Sequence, residues 1–431
     1  MLRWFLAMAL LSMSMVLASS VPSNALFNNN KVLRVIDMRS SIVREDVGIR
    51  AENIGDVPAD AYYYAVPKVI NDKVAHVEGF LREEPKSSLK VESVGFDDEN
   101  QAQLYKVLLP APLAPKKEIR IGIKIVYTHA VSPLPEKLPQ MSRQFVQYEG
   151  AIFFFTPYET VEQKTTLQLP PGQLASYTSS SNLVEHKGNK LIHGPFINMN
   201  AYRYEPLRAH FEFSAALLTV TALERELFVS HWNNVLSVEE QYYLQNDGAK
   251  LASHFNRVQH MLTQQYHAAT NMIKELTLRF PASARDAYFR DEIGNVSTSH
   301  FRQERDATVM EIKPRFPLFG GWLYNWYHGY NAKLDDFLRY DADSGKYILS
   351  IQFIDNAKTM AIDKATVKIV LPEGVSDVQV KAPFALDREE HTKYFSNFDT
   401  TGRHMITLEK HNLVHEHEQL LEVRRARLAG R

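Results

Sequence analysis

Apolar and polar residues alternate with a period of two along most of this chain. Between Glu118 and Tyr127, Ile119, Ile121, Ile123 and Ile125 share one parity, and Arg120, Gly122 and Lys124 share the other. That pattern predicts a strand with one face on a core and the other on water. Lys346–Ile354 repeats it with Tyr347, Leu349, Ile351 and Phe353. Val32–Ile42, Ala61–Val69, Ala102–Leu109 and Thr165–Leu169 also read as strands, with many of the β-branched and aromatic residues that suit a pleated, half-buried surface. The apolar run Phe213–Leu223 ends at Glu224, too soon for a membrane span, and reads as a buried strand pair.

Proline punctuates the pattern. Leu109-Pro110, Leu169-Pro170, Phe280-Pro281 and Leu371-Pro372 each close an apolar run, as befits a residue that cannot donate to a ladder. Their spread points to tandem β domains without proving a duplication. Glu239–Gln265 is polar, rich in Gln and His, and reads as partly helical, with a turn at Asn246-Asp247-Gly248. Pro133, Pro135 and Pro139 predict a hinge or loop over Leu134–Met141, and Thr178–Asn189 has the composition of a surface loop. The predicted fold class is mainly β, with two tandem, sandwich-like domains and few helices. The domains are placed at 27–215 and 216–418, with a basic tail at 419–431.

The N-terminus sets the compartment. Met1-Leu2-Arg3 is followed by an uncharged apolar run, Trp4–Ala18, and by the small residues Ala18-Ser19-Ser20. This reads as a signal peptide over 1–20, delivering the remainder to the secretory lumen. The run is short for a membrane anchor.

With 431 residues, 45% hydrophobic and 23% charged, the chain has ordinary globular composition and length for two or three domains. Its 49 basic and 50 acidic residues leave a net charge of −1. That balance gives no electrostatic footprint for nucleic acid and no broad basic face for anionic lipid. There is no cysteine, so disulfides, thiol catalysis and Cys-type zinc sites are excluded.

Candidate chemistry is sparse. Asn295-Val296-Ser297 is an N-glycosylation sequon, and a leader upstream makes Asn295 the one candidate modification site. His411, His415 and His417 beside Glu416 and Glu418 invite a metal reading, but residue 419, where H-E-x-x-H requires its second His, is Gln419. A solvated charged segment is the favoured reading. Gly320-Gly321 lacks the third glycine of a dinucleotide fingerprint, and Asp97-Asp98 and Asp335-Asp336 read as turn residues. Trp322, Tyr324, Trp326, Tyr327 and Tyr330 form an aromatic cluster with His328 and Gly329. Exposed, it would bind carbohydrate or a partner; core packing around a tight Gly-Gly turn is favoured. No catalytic, cofactor or metal residues are assigned.

Several stretches, in order, resemble the ribophorin I family. They include QFVQYEG at Gln144–Gly150, Val229-Ser230-His231-Trp232, Tyr288–Ser299 with RDEIGNVSTS, RFPLFGGW ending at Trp322, and VKIVLPEG at Val367–Gly374. The resemblance implies two β-rich luminal domains in the endoplasmic reticulum. It also implies an accessory, non-catalytic subunit of oligosaccharyltransferase, the complex that N-glycosylates Asn-x-Ser/Thr. The implied partners are the other subunits, including the catalytic one, and nascent polypeptide substrates, with no nucleic acid and no cofactor. Asn295 would be the family's own glycosylation position. The family also implies a single transmembrane helix after the second luminal domain, where this sequence reads Leu420–Arg431 (LLEVRRARLAGR) and carries no such anchor. The alternative function is a free, secreted β-sandwich binding module using the Trp322 cluster. A hydrolase is disfavoured by the missing H-E-x-x-H.

Overall fold

The computed structural model describes residues 26–84, 87–179, 183–265, 271–296, 299–396 and 399–426. The expected signal peptide lies outside them. The fold is mainly β, as the alternation predicts. Among the described residues, no helix is long and apolar enough to cross a membrane.

One strand arrangement occurs twice. In the first copy the hairpin of Phe27–Asp37 and Val43–Asn53 sits inside an eight-stranded sheet. Beyond Val43–Asn53 come Glu118–Tyr127 and Val74–Leu81, all antiparallel, with Ser88–Leu89 at the edge. On the other side Thr160–Gln168 pairs parallel to Phe27–Asp37, followed by Lys190–Met199 and Val184–Lys187.

The second copy has the hairpin of Leu218–Ser230 and Val235–Asn246 in a seven-stranded sheet. Leu323–Lys333 and Arg285–Asp291 continue it on one side. On the other, Ala361–Val370 pairs parallel to Leu218–Ser230, then come Arg403–Leu413 and Arg388–Tyr394.

The smaller sheets repeat too. The order Leu174–Tyr177, Pro206–Glu212, Phe145–Ala151, Val131–Pro133 is matched by Gln379–Lys381, Leu420–Ala426, Lys346–Gln352, Leu338–Asp341. The three-stranded sheet Ala59–Pro67, Ala102–Leu113, Val91–Asp97 is matched by Leu276–Phe280, Thr308–Ile312, His300–Gln303. Each copy has its own apolar core, one drawing on residues from Phe27 to Leu217 and the other from Leu218 to Val423.

Equivalent strands carry equivalent side chains. Asn53 and Asn246 end the second strand of each copy, and each accepts the N–H two residues on, from Gly55 at 2.9 Å and Gly248 at 3.0 Å. Each also donates Nδ2 to two carbonyls, those of Val57 and Leu113 in one copy and of Asn271 and Leu318 in the other. Leu169-Pro170 and Leu371-Pro372 directly follow the equivalent strands Thr160–Gln168 and Ala361–Val370.

A buried ion pair crosses each central hairpin. Arg34 donates Nε and Nη2 to Glu45 at 2.7 and 2.9 Å, and Nη1 to the carbonyl of Ala151 at 2.5 Å. Arg225 faces Glu240 at 3.2 Å and Asp355 at 2.6 Å. Burial alone pushes the Glu240 carboxyl up, but the Arg225 charge and the His328 contact outweigh it and hold it low. Burial keeps Asp355 above the usual carboxylate range. Such pairs gain little over an apolar replacement of both partners, yet removing one leaves a charge stranded in the core.

These inward charges explain where the sequence reading fails. Glu239–Gln265 is not chiefly helical: Val235–Asn246 is a central strand, and only Arg257–Gln265 is a helix. Leu236, Val238, Tyr242 and Leu244 point inward with Glu240 and Asn246, and those two polar members mask the period. Val43–Asn53 is hidden in the same way by Glu45, and the strand expected at Val32–Ile42 is Phe27–Asp37. Phe213–Leu223 is not a strand pair: Phe213–Leu217 links Pro206–Glu212 to Leu218–Ser230, and Leu218–Leu223 begins the latter strand. The expected loop Thr178–Asn189 includes the edge strand Val184–Lys187, and Pro110 lies within Ala102–Leu113 instead of ending it. The expectation of a divergent tail over 419–431 does not hold for its described part. Leu420–Ala426 pairs between Lys346–Gln352 and Gln379–Lys381, with Leu421 and Val423 in the core.

Arg225→Met is expected to destabilise the protein by about 3–5 kcal/mol, and Arg34→Met by a similar amount. Lys31→Met, at a surface pair with Glu162, should change stability by less than about 1 kcal/mol. Denaturant midpoints of the three variants check this; equal, small losses would contradict it.

Candidate functional site

The turn that presents Asn295 is built by its neighbours. Asp291 Oδ1 accepts the N–H groups of Ile293 and Gly294 at 3.0 and 3.1 Å, closing an Asx-type turn. Gly294 sits at φ 136°, where a side chain would be strained. Arg315 pairs with Asp291 and donates Nη2 to the carbonyls of Gly294 and Asn295 at 3.2 and 2.9 Å. Arg290 donates Nε to Asn295 Oδ1 at 2.8 Å. Asn295 is exposed while Val296 beside it packs into the core. Arg315 begins the RFPLFGGW stretch, so the two segments singled out in the sequence meet at this turn. Ser297 lies outside the described residues.

The aromatic cluster is chiefly core. Tyr324, Trp326, His328 and Tyr330 alternate inward along Leu323–Lys333, and Trp326 stacks on Tyr242 at 4.8 Å. Trp322 is half-buried against Phe255, Phe316 and Phe319, while Tyr327 pairs with Tyr288. The Gly-Gly turn is a close approach: a Cβ at Gly320 would meet the Ala249 carbonyl at 2.1 Å.

The His-rich segment lies at the seam between the two copies. His411 pairs with Asp387 at 2.8 Å and His415 with Glu418 at 2.9 Å, so the three histidines do not converge. His417 is buried, its ring 5.3 Å from His76 of the other copy and 5.0 Å from Phe384. Nearby, Arg44 pairs with Glu416 at 2.9 Å, and Ile42, Val126 and Val414 share a small apolar cluster. Among the described residues no group of three or more His, Cys, Asp or Glu is placed to hold a metal. The acidic pairs serve turns: Asp97 accepts from Glu99 and Asn100, and Asp335 from Asn234.

The sequence reading misses the other fastening of the seam, although its proline-rich hinge marks the place. Lys137–Leu138 pairs parallel to Lys250–Leu251. Gln140 exchanges two hydrogen bonds with the Asn256 backbone, at 2.8 and 2.9 Å. Gln144 Oε1 accepts from Ala249 N at 2.8 Å and Asn271 Nδ2 at 3.0 Å. His129 reaches Asp363 at 2.8 Å beside a cleft of about 620 Å³. That hydrogen bond raises the His129 imidazole above its usual range.

The sequence pattern of the Ribophorin I family matches residues 27–424, taking in both copies. The chain belongs to the ribophorin I family. Among relatives in this family, an Arabidopsis thaliana protein named dolichyl-diphosphooligosaccharide–protein glycosyltransferase subunit 1A is 33% identical over 401 residues. The match covers 91% of this chain and 64% of that one. Subunit 1 of Caenorhabditis elegans is 32% identical over 391 residues, covering 90% and 66%. The chain thus spans just under two thirds of these two ribophorin I relatives. It covers 84% of the Arabidopsis subunit 1B at 31% identity. A native yeast LTA4 hydrolase structure covers 45% of this chain and 30% of its own, with 9% identity and a TM-score of 0.29, a likeness too weak to bear on function.

Two outcomes are expected at these positions. If Asn295 is glycosylated, the unaltered chain expressed through a secretory host should show an endoglycosidase-sensitive mobility shift that Asn295→Gln removes; an unchanged gel pattern would contradict occupancy. At the seam, burial holds the His417 imidazole down to about 4. The unfolded chain takes up that proton near pH 6.5, so it binds more protons between the two values and stability falls as pH falls. Acidification from pH 7 to 5 should therefore cost about 2 kcal/mol through this group. Thermal unfolding of His417→Asn against pH should show that slope reduced.

Proposed function

We propose that this chain is an accessory, non-catalytic subunit of oligosaccharyltransferase acting on the luminal side of the endoplasmic reticulum. It supports assembly of the complex or presents nascent polypeptide near the active site of another subunit. The observation that carries the reading is the family match across 27–424, since it includes both copies of the fold and their seam. The names of the relatives supply the complex.

In this reading residues 1–20 are a leader and the two copies are luminal domains. The first is the expected 27–215, and the second runs from 216 through the strand Leu420–Ala426 that completes its sheet. Other subunits and nascent polypeptides are the partners, and Asn295 carries the chain's own glycan. A seam fastened at two separate points suits a scaffold, since it favours one spacing between the surfaces offered to partners.

Native co-isolation tests the proposal. A tagged chain expressed in cells with intact microsomes should bring the catalytic oligosaccharyltransferase subunit with it. Recovery only as a free luminal or secreted glycoprotein would overturn the reading and favour a secreted binding module.

A further inference from the structure

The helix Arg257–Gln265 is turned inside out. Val258, Met261 and Leu262 stand at i, i+3 and i+4 and share one face, and they are 67%, 61% and 41% exposed. Among the helix side chains described, 257–262, the one turned toward the protein is polar: His260 is buried, its ring 5.7 Å from Phe255 and 6.2 Å from Phe319. A surface helix ordinarily does the reverse, laying its apolar stripe on the core. Phe255, 37% exposed, enlarges the face and rests on Phe319 and Trp322. Contiguous apolar side chains held out to solvent on a packed base mark an interaction surface.

Charge along this stretch is of one sign. From Gly248 to Lys274 there is no Asp or Glu, although the chain has 50 of them, while Lys250, Arg257 and Lys274 are cationic. The near-zero net charge of the whole chain conceals this local bias. Apolar residues beside cations, without acids, are the chemistry of an anionic bilayer surface: the apolar side chains enter the headgroup–acyl boundary and the cations meet phosphates. A protein partner would cover the same apolar residues but would not by itself account for the missing acids.

We propose that the face formed by Phe255, Val258, Met261 and Leu262 docks on an anionic lipid surface. The proposal rests on this face alone and not on the oligosaccharyltransferase reading, so either can fail without the other. It would give the protein a peripheral membrane contact within the second copy, fixed to the seam through the Gln140–Asn256 hydrogen bonds.

Because the chain has no cysteine, Met261→Cys provides a single attachment point for an environment-sensitive fluorophore. On phosphatidylcholine vesicles containing phosphatidylserine, its emission should shift to the blue. Pure phosphatidylcholine should give a smaller shift, and salt should reverse it. The same label at Ala342→Cys, on an exposed turn, should not move. Arg257→Glu in the Met261→Cys background should weaken vesicle binding by about tenfold or more. The proposal is overturned by no shift on either vesicle, by an equal shift at position 342, or by binding indifferent to Arg257→Glu and salt. A shift that appears only when purified oligosaccharyltransferase subunits are added would also overturn it, and would assign the face to a protein partner.

Discussion

Each half of this protein depends on a parallel pairing that the chain reaches only after a long excursion. Asn29 stands opposite Thr160, 131 residues later, and Thr219 stands opposite Ala361. A parallel neighbour cannot be joined by a tight turn, so everything between must first be laid down as further strands. In the first copy the excursion forms the antiparallel wing and the three-stranded sheet, and the returning strand closes the large sheet against its own beginning. Buried polar groups secure the closure: Asn29 donates to Thr156 and Thr160 and accepts from Tyr62. Left unpaired, these groups would each carry a desolvation cost, so they favour the one register that satisfies them all.

The ion pairs across the central hairpins serve the same end. Arg34 and Arg225 lie on equivalent strands, and Glu45 and Glu240 on their equivalent neighbours. A one-residue slip would carry a charged side chain to the wrong face and strand its partner. The pair therefore fixes register more than it adds stability. The second copy elaborates the device, recruiting Asp355 and setting His328 and Tyr242 against Glu240. The two copies thus share a buried Arg–Glu pair across the central hairpin.

Between the copies the contacts are mixed in kind. One fastening is backbone and amide, through Lys137–Leu138, Gln140 and Gln144; the other is ionic and aromatic, through Arg44–Glu416 and His76–His417. Two separated fastenings resist rotation as well as separation. The histidines within them respond to acid in opposite senses. Burial makes protonation of His417 costly, whereas Asp363 rewards protonation of His129. Acidification therefore acts unevenly on the two fastenings.

Sequence alone determined the mainly β character, because Glu118–Tyr127 and Lys346–Gln352 keep an uninterrupted apolar parity that depends on no distant residue. It also determined the sequon at Asn295 and the ordered segments that resemble ribophorin I. The favoured reading of the aromatic cluster as core followed from side-chain size alone. Tertiary structure decided the rest. Val43–Asn53 and Val235–Asn246 carry inward Glu side chains, and an inward charge is intelligible only beside the Arg that neutralises it across the sheet. The repeat was equally hidden, because its equivalences are of pairing order, and few residues besides the Asn-x-Gly turns and Leu-Pro ends recur. The same is true of Leu420–Ala426, whose basic residues read as a tail until two distant strands are set on either side of it. Local periodicity is written in neighbouring residues, but the partner of a buried charge is fixed only when the chain closes on itself.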